Sequence, residues 1–364
     1  MRVADFDYAL PPDHVAQLPL ADRDASRMML LDRRARSWED GWFRELPEWL
    51  RGDELVVVNN ARVIPARLFG RRLGLRAEHP ARVRKEFLQA TIEVLLVRRL
   101  GPDRWEALVR PGRKVRTGER IVFGEGLEAE VIGRGSFGER ELRFSCTGSL
   151  EAAIERVGHV PLPPYIARAD QPADRERYQT IFARTGAAVA APTAGLHFTP
   201  ALVGRLRERG IELAELTLDV GLGTFQPIRS ARVEDHPMHR ENYCIPAETA
   251  AALARARRDR RPVLAVGTSV VRALEDSARR FAGHGGPASA GAVEAGAAEA
   301  KLFIYPGYEF RVVDQLLTNF HLPRSSLLVM VAAFAGRELV LAAYRHAVEA
   351  GYRFYSYGDC MLIR

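Results

Sequence analysis

The sequence predicts an α/β domain that is interrupted by an inserted antiparallel β-barrel. The chain has 364 residues, which exceeds the usual limit of one hydrophobic core, so two domains are expected. Strands alternate with helices through its second half, as in an α/β core. Between residues 66 and 145 the pattern changes to short strand candidates without helices, which is typical of a small barrel. We therefore expect an α/β domain formed by residues 1–65 and 150–364, and a barrel domain formed by residues 66–149.

The first strong strand signal is the β-branched run at residues 54–59, which has the composition of a buried strand. The barrel strand candidates come after it, and glycine-containing turns separate them. These candidates are residues 92–97, 105–109, 120–123, 127–132 and 141–144.

Helical signals return after the barrel segment. Thr199 is an N-cap candidate that is followed by a proline, and Gly210 can end this helix in a left-handed turn. Residues 281–300 are rich in Gly, Ala and Ser, so a mobile surface loop is expected there. The remaining predictions are strand 211–220, helix 247–260, strand 263–266, helix 272–280, strand 302–305, helix 325–336 and strand 352–356.

The composition favours a basic protein without a membrane segment. Lys and Arg exceed Asp and Glu by 53 to 46, which gives a formal net charge of +7. Such an excess attracts polyanions and makes nucleic acid a candidate partner, although arginine-rich usage can also serve only to solvate a surface. No stretch approaches the roughly twenty apolar residues of a membrane-spanning helix, and the first ten residues do not resemble a signal peptide. A cytoplasmic location is the expectation.

Neither a disulfide framework nor a metal site is predicted. The three cysteines are far apart in the sequence, at Cys146, Cys244 and Cys360. Cys360 is interpreted as a small buried residue rather than a nucleophile. The spacing of His236, His239 and Glu241 resembles that of metal ligands, but no further ligand is obvious.

Several segments contain more polar and glycine residues than packing would select. They are residues 5–11, 59–67, 158–165, 190–198, 221–227, 266–269, 318–323 and 355–359. In their order and approximate spacing, from the first residues of the chain to the last, they resemble the S-adenosylmethionine:tRNA ribosyltransferase-isomerase family of queuosine biosynthesis. The departures from the family pattern include Asp219, where a histidine is more common, and a longer basic segment at residues 71–91.

The resemblance implies an α/β domain of unusual topology with an inserted six-stranded barrel. It also implies the two substrates: S-adenosylmethionine, and a tRNA with a GUN anticodon that carries 7-aminomethyl-7-deazaguanine at the wobble position. The products would be adenine, methionine and epoxyqueuosine-tRNA. S-adenosylmethionine would be consumed, no further cofactor would be needed, and we expect a monomer.

Such a reaction needs a general base, a proton donor for adenine, and groups that tolerate a sulfonium. Histidine is the side chain best suited to proton transfer near neutral pH. His197 and His321 lie in polar, turn-forming contexts and are the catalytic candidates, although either can be a structural histidine. Asp359 is a third candidate, and its alternative is an aspartate that caps a turn. Which group is the base and which the acid stays open.

Glycines that end apolar strands let backbone N–H groups approach a ligand closely. Residues 266–269 also precede a predicted helix, whose N-terminus would face the ligand. The predicted S-adenosylmethionine contacts are Gly221, Gly223, Thr224, Gly267, Thr268 and Asp219, with a binding rather than a proton-transfer role for Asp219.

Arginine can clamp a phosphate or the methionine carboxylate with two parallel hydrogen bonds. The predicted RNA contacts are Arg62, Arg67, Arg110, Arg113 and Lys114, and the alternative for each is a solvated surface cation. A basic cluster is predicted to contact phosphates as well, and its alternative is a solvated face; its members are Arg67, Arg71, Arg72, Arg76, Arg82, Arg84 and Lys85.

Two other function classes are weighed against this interpretation. A conventional S-adenosylmethionine-dependent RNA methyltransferase needs a glycine-rich loop after its first strand, whereas residues 59–62 read Asn-Asn-Ala-Arg. A non-catalytic RNA-binding protein with a barrel module would leave the polar loops of the α/β part unexplained. The products released from S-adenosylmethionine separate the three classes.

Overall fold

The computed structural model of the chain describes residues 1–74, 90–135, 138–221, 227–283 and 292–364. The chain divides into two compact units. The first comprises residues 1–62, 163–168 and 177–364, and the second comprises residues 63–162 and 169–176. A mixed sheet with helices and a closed six-stranded barrel are both present, so the predicted fold class is confirmed.

The first unit is built on a nine-stranded sheet. Its strands are β1 (Arg27–Asp32), β2 (Ser37–Trp42), β3 (Leu55–Asn59), β12 (Glu212–Leu218), β13 (Glu241–Ile245), β14 (Val263–Val266), β15 (Gly296–Ala300), β16 (Gln315–Asn319) and β17 (Cys360–Ile363). They pair in the order β15-β13-β12-β3-β14-β16-β17-β1-β2. At the centre β12, β3, β14 and β16 are parallel neighbours, so the loops after them meet at one edge of the sheet. Two short strands, β4 (Ala61–Val63) and β11 (Thr185–Ala188), pair with each other.

The helices are α1 (Leu46–Trp49), α2 (Leu150–Val157), α3 (Asp174–Arg177), α4 (Pro200–Glu208), α5 (Ala247–Arg258), α6 (Thr268–Gly283), α7 (Ser326–Ala335) and α8 (Arg337–Glu349). The predicted N-cap of α4 is confirmed, because Thr199 Oγ1 accepts a hydrogen bond of 3.1 Å from Leu202 N. Gly210 follows α4 with φ of +84°, the left-handed conformation that glycine adopts without strain.

Helices cover both faces of the nine-stranded sheet. Leu55 and Val57 of β3 belong to a core cluster with α5, α6, α7 and α8, whereas Val56 and Val58 belong to a second cluster with α1 and α4. Successive side chains of a strand point to opposite faces, so this alternation shows that β3 is buried on both sides. Cys360 lies in the second cluster as predicted, and burial raises the pKa of its thiol.

The second unit contains the closed barrel. The barrel strands are β5 (Arg67–Arg72), β6 (Ile92–Arg99), β7 (Arg104–Arg110), β8 (Arg120–Gly124), β9 (Leu127–Arg134) and β10 (Glu139–Ser145). They pair antiparallel in the order β10-β7-β6-β5-β8-β9. All five strand candidates of this segment are confirmed. No strand was predicted at β5, where Gly70 interrupts the strand composition. A Cβ at Gly70 would lie 2.7 Å from Val122 O, so a close approach of β8 requires the glycine.

Two predicted strands of the first unit are wrong. Residues 302–305 form no strand, and the neighbouring segment β15, inside the predicted mobile loop, pairs with β13 instead. Likewise residues 352–356 form no strand, and β17 begins after Asp359 rather than before it. In both cases a strand was predicted at an apolar run, and the strand lies in a neighbouring segment instead. Backbone pairing at a sheet edge needs no apolar side chains, and so left no signal in the composition of β15.

None of the described helices is by itself long and apolar enough to cross a membrane. The pair α7 and α8 passes that test only together, and it is bent by 116°.

Candidate active site

A pocket in the first unit lies where the central parallel strands end. The turn after β14, with Gly267, Thr268 and Ser269, forms one wall. Thr318 at the end of β16 and His321 after it form another. The remaining lining is Ala191, Pro192, Thr193, Ala194, Val220, Met238, Glu241, Arg272, Leu302, Phe303, Ile304, Ser326, Leu327 and Met330. The empty space of the pocket is about 690 Å³ when the open solvent at its mouth is included.

The turn after β14 brings backbone and hydroxyl groups to the pocket. Gly267 has φ of +92°, a conformation that a residue with a Cβ rarely adopts. This turn starts the long helix α6, whose first residues, Thr268 and Ser269, line the pocket. The N-terminus of such a helix favours negatively charged ligand groups. Gly267 and Thr268, which the sequence predicted as ligand contacts, therefore lie in the pocket wall.

His321 contributes an imidazole side chain to the pocket lining. Its Nε2 forms a hydrogen bond of 2.8 Å with Thr318 Oγ1, and its Nδ1 has no hydrogen-bond partner among the described residues. Burial lowers the pKa of His321 to about 3, so the ring is neutral near pH 7. A neutral imidazole has one acceptor nitrogen, which is the state a proton acceptor or a hydrogen-bond acceptor requires.

Two buried tyrosines fix the backbone of His321. Tyr8 Oη donates a hydrogen bond of 2.5 Å to His321 O, and His321 N donates one of 3.1 Å to Tyr344 Oη. The two aromatic rings meet edge to face with centroids 5.2 Å apart. Tyr8 lies in the segment at residues 5–11 and Tyr344 in α8, so two distant parts of the chain hold this residue in place.

A buried ion pair forms the far side of the pocket. Arg272 Nη1 donates to Glu241 Oε2 at 2.5 Å, and Arg272 Nε donates to Leu302 O at 3.1 Å. Glu241 Oε1 accepts a hydrogen bond of 2.9 Å from Gly221 N. Both charged side chains have backbone partners, so the pair fixes the start of the loop after Val220. Glu241 thus pairs with arginine, and no group of three or more His, Cys, Asp or Glu among the described residues could hold a metal ion.

His197 and Asp359 are not part of the pocket lining. His197 is buried against Phe43, with Nδ1 2.9 Å from Ser26 Oγ and Nε2 3.3 Å from Asn319 Oδ1. Burial lowers the pKa of His197 to about 4. Both ring nitrogens are occupied, which is the arrangement of a structural histidine. Its catalytic role stays a prediction.

The carboxylate of Asp359 accepts hydrogen bonds from backbone N–H groups and does not line the pocket. Its Oδ1 accepts a hydrogen bond of 2.9 Å from Arg27 N, and its Oδ2 accepts one of 2.7 Å from Arg353 N. Burial raises the pKa of this carboxyl group. These bonds match the turn-capping alternative that the sequence left open, and they join the first strand of the sheet to the last loop.

Asp219 and Gly221 follow β12, and between them Val220 reaches the pocket. Asp219 Oδ1 accepts a hydrogen bond of 3.0 Å from Ala187 N, and burial raises the pKa of its carboxyl group. Asp219 is thus tied to β11, and its ligand-binding role stays a prediction. Gly223 and Thr224 lie outside the described residues.

The predicted RNA-contact residues do not form one cluster within one unit. Arg62 is exposed and belongs to the first unit, whereas Arg67, Arg110, Arg113 and Lys114 belong to the second. Arg67 is engaged within its own unit, because its Nε lies 3.2 Å from Glu93 Oε1 and its Nη2 donates to Leu162 O. Arg76, Arg82, Arg84 and Lys85 lie outside the described residues.

Sequence reasoning missed several residues of the site. Thr318 lies in one of the selected motifs, so its position next to His321 was accessible from the pattern. Tyr8 and Tyr344 lie 313 and 23 residues from His321 in the sequence, and Arg272 lies 31 residues from Glu241. No local sequence pattern could predict these contacts.

Known proteins resemble this chain over its whole length. Residues 3–363 match the family described as queuosine biosynthesis protein. The S-adenosylmethionine:tRNA ribosyltransferase-isomerase of Solibacter usitatus is 55% identical, with 100% of both chains covered. The protein of the same name from Geobacter metallireducens is 50% identical, also with 100% of both covered. A crystal structure of S-adenosylmethionine tRNA ribosyltransferase from Thermotoga maritima gives a TM-score of 0.52 at 37% identity, covering 99% of this chain and 100% of that one.

Proposed function

The chain belongs to the queuosine biosynthesis family of S-adenosylmethionine:tRNA ribosyltransferase-isomerases, and we propose that it transfers and isomerises the ribosyl group of S-adenosylmethionine onto 7-aminomethyl-7-deazaguanine. It is a transferase that acts on tRNA with S-adenosylmethionine as a substrate. The acceptor base is the wobble base of tRNAs with GUN anticodons. The products are epoxyqueuosine-tRNA, adenine and methionine.

The observation that carries this proposal is the pocket at the carboxyl ends of β14 and β16. The start of α6 suits the carboxylate of the methionyl group, because Thr268 and Ser269 present their groups there at the positive end of a helix dipole. Apolar side chains such as Val220, Leu302 and Met330 supply surface for the adenosyl group. The site thus offers an anion-binding end and an apolar end, as this substrate requires.

The residue proposed to contact the reacting part of the substrate is His321. Removal of a C5′ proton of S-adenosylmethionine leaves a carbanion beside the sulfonium, and departing adenine takes up a proton. A neutral His321 can accept a hydrogen bond or a proton at the nitrogen that Thr318 does not bind. The low pKa of His321 makes the ring a weak base, so its proposed role is to orient the substrate.

The proposal also includes the location, the oligomeric state and the cofactor requirement of the enzyme. It works in the cytoplasm as a monomer, and S-adenosylmethionine is a consumed substrate rather than a recycled cofactor. No further cofactor or metal ion takes part.

The product mixture tests the proposed function. The purified protein is incubated with S-adenosylmethionine and a GUN-anticodon tRNA that carries 7-aminomethyl-7-deazaguanine. We expect adenine and methionine in equal amounts with epoxyqueuosine. Release of S-adenosylhomocysteine would instead show a methyltransferase, and tRNA binding without any turnover would show a non-catalytic RNA-binding protein.

A pair of histidine variants ties the activity to the pocket. His321→Ala should slow adenine release by roughly a hundredfold, because it removes the ring that orients the substrate. His346→Ala is the matched control, since His346 lies on α8 outside the pocket and bonds Asp40. Equal turnover by the two variants would show that the pocket is not the active site.

A further inference from the structure

A basic groove adjoins the candidate pocket, and both lie in the first unit. Leu302 and Phe303 line the pocket and the groove, so the two share a wall. The other groove residues come from the end of α6 and from β15 and the residue after it. They are Asp276, Arg279, Arg280, Ala298, Glu299 and Lys301.

The cations of this groove are more available than its anions. Arg279 is exposed and Arg280 is half-buried, and neither makes an ion pair with another described residue. Lys301 is exposed as well, and its Nζ is 3.7 Å from Glu299 Oε2. Glu299 also faces Arg240 at 3.3 Å, so one carboxylate is shared between two cations.

The second carboxylate of the groove is occupied. Asp276 Oδ1 accepts hydrogen bonds from Lys301 N at 3.0 Å and Leu302 N at 3.1 Å, and Asp276 Oδ2 accepts one from Tyr243 Oη at 3.2 Å. Asp276 is buried. Its charge holds the chain after β15 in place and is not presented to solvent, so the exposed surface of the groove is basic.

An aromatic ring stands where the groove meets the pocket. Phe303 is half-buried and meets the ring of His236 edge to face at 5.4 Å. Single-stranded nucleic acid is bound by the combination of a cationic groove for phosphates and an aromatic ring for a base. The groove and Phe303 provide that combination beside the pocket that we propose for S-adenosylmethionine.

We propose that Arg279, Arg280 and Lys301 bind phosphates of the tRNA anticodon loop, and that Phe303 stacks on a loop base as the wobble base enters the pocket. This inference rests on the proposed function, because it requires a tRNA substrate whose reacting base reaches the pocket. An anticodon loop carries one negative charge per phosphate and is single-stranded, which matches both parts of the surface. The groove provides this binding on the same compact unit as the pocket.

The salt dependence of tRNA binding tests the proposal. Binding of the modified GUN-anticodon tRNA is measured between 50 and 200 mM salt for the wild type and for a variant with Arg279→Gln, Arg280→Gln and Lys301→Gln. The slope of log K against log salt should flatten by about two to three units, which is about one unit per lost contact. Affinity for S-adenosylmethionine should be unchanged, since none of the three lines the pocket.

A charge-matched control carries Arg34→Gln, Arg207→Gln and Arg345→Gln, three exposed arginines that line neither the groove nor the pocket. Its slope should stay close to that of the wild type. If the groove variant and the control behave alike, the groove does not bind the loop and its cations only solvate the surface. Wild-type product formation is recorded in parallel, so this failure is distinct from failure of the proposed function.

Phe303→Leu tests the stacking part separately. Leucine keeps an apolar wall but has no aromatic face, so affinity for the tRNA should fall at every salt concentration with an unchanged slope. Unchanged affinity would remove Phe303 from the proposal.

Discussion

At the scale of the residue, His321 is a member of the pocket whose position depends on distant parts of the chain. The hydroxyl groups of Tyr8 and Tyr344 bind its carbonyl and amide groups, and Thr318 binds its ring. A residue whose backbone is held at two points and whose ring is held at one keeps one orientation toward a substrate, which lowers the entropic cost of reaching the reactive geometry.

Tyr8→Phe removes one of these three bonds without removing the aromatic ring. We expect a loss of about 1 kcal/mol in the free energy of unfolding. Turnover at saturating S-adenosylmethionine should fall severalfold, because the backbone of His321 is no longer fixed. Tyr352→Phe is the control, since it loses a 2.6 Å hydrogen bond to Asp40 away from the pocket. Equal effects of both variants on turnover would show that Tyr8 acts only on stability.

His197 makes the stability of the protein depend on pH. Its folded pKa is about 4 because burial disfavours the charged ring, against an ordinary value of 6.5. As the pH falls from 6.5 to 4, the unfolded chain takes up a proton that the folded chain does not. The free energy of unfolding should therefore fall by roughly 1.4 kcal/mol per pH unit for this residue.

His197→Gln keeps a polar side chain at this position and removes the titration. Denaturant unfolding of the variant and the wild type between pH 7 and pH 4 measures the difference. The variant should lose less stability on acidification than the wild type, whatever its stability at pH 7. Parallel curves for the two proteins would contradict the assigned burial of a neutral ring.

At the scale of the element, the N-cap of α7 controls one wall of the pocket. Ser325 Oγ accepts a hydrogen bond of 3.2 Å from Leu328 N, and the next residues, Ser326 and Leu327, line the pocket. Ser325→Ala should lower the free energy of unfolding by about 1 kcal/mol and raise the S-adenosylmethionine concentration needed for half-maximal turnover. Thr199→Ala removes the equivalent cap of α4, which does not line the pocket. A raised requirement in both variants would point to general destabilisation.

A strand or helix can be predicted from the sequence when its formation requires a particular kind of side chain. Buried strands such as β3 and β14 need apolar, β-branched residues, so their composition predicts them. The edge strand β15 needs only backbone pairing with β13, and its Gly and Ala residues looked like a loop. Leu302 and Ile304 are buried without a strand, so the apolar run at residues 302–305 predicted a strand that does not form.

The residues of the site could also be predicted only as far as their local sequence determines their position. His197 and His321 have similar local contexts, and only the fold shows that one lines the pocket and the other is enclosed behind it. Asp359 was placed after a strand and lies before one, where it caps backbone groups. Motifs predicted which loops meet at the site, but the contacts between those loops depend on the sheet order.

At the scale of the whole molecule, both ends of the chain contribute to one sheet. β17 lies between β16 and β1, and the barrel strands are inserted between β3 and β12 in the sequence. Tyr8 and Tyr344, which bind the backbone of His321 in the pocket lining, likewise come from opposite ends of the chain. A catalytic part cut from either half of the sequence would lack strands of the sheet.

The whole enzyme should work without a metal ion. The proposed chemistry consists of proton transfers and the making and breaking of carbon–nitrogen, carbon–sulfur, carbon–carbon and carbon–oxygen bonds, and the proton transfers are steps that side chains can support. Among the described residues no three His, Cys, Asp or Glu side chains form a metal-binding group, and Glu241 is committed to Arg272. We expect adenine release to continue after exhaustive chelation, at a rate within about twofold of the untreated enzyme. The melting curve of the tRNA is followed under the same conditions, so that loss of substrate structure is not taken for loss of catalysis. Activity that disappears with an intact tRNA and returns with one added metal would show that a metal ion takes part.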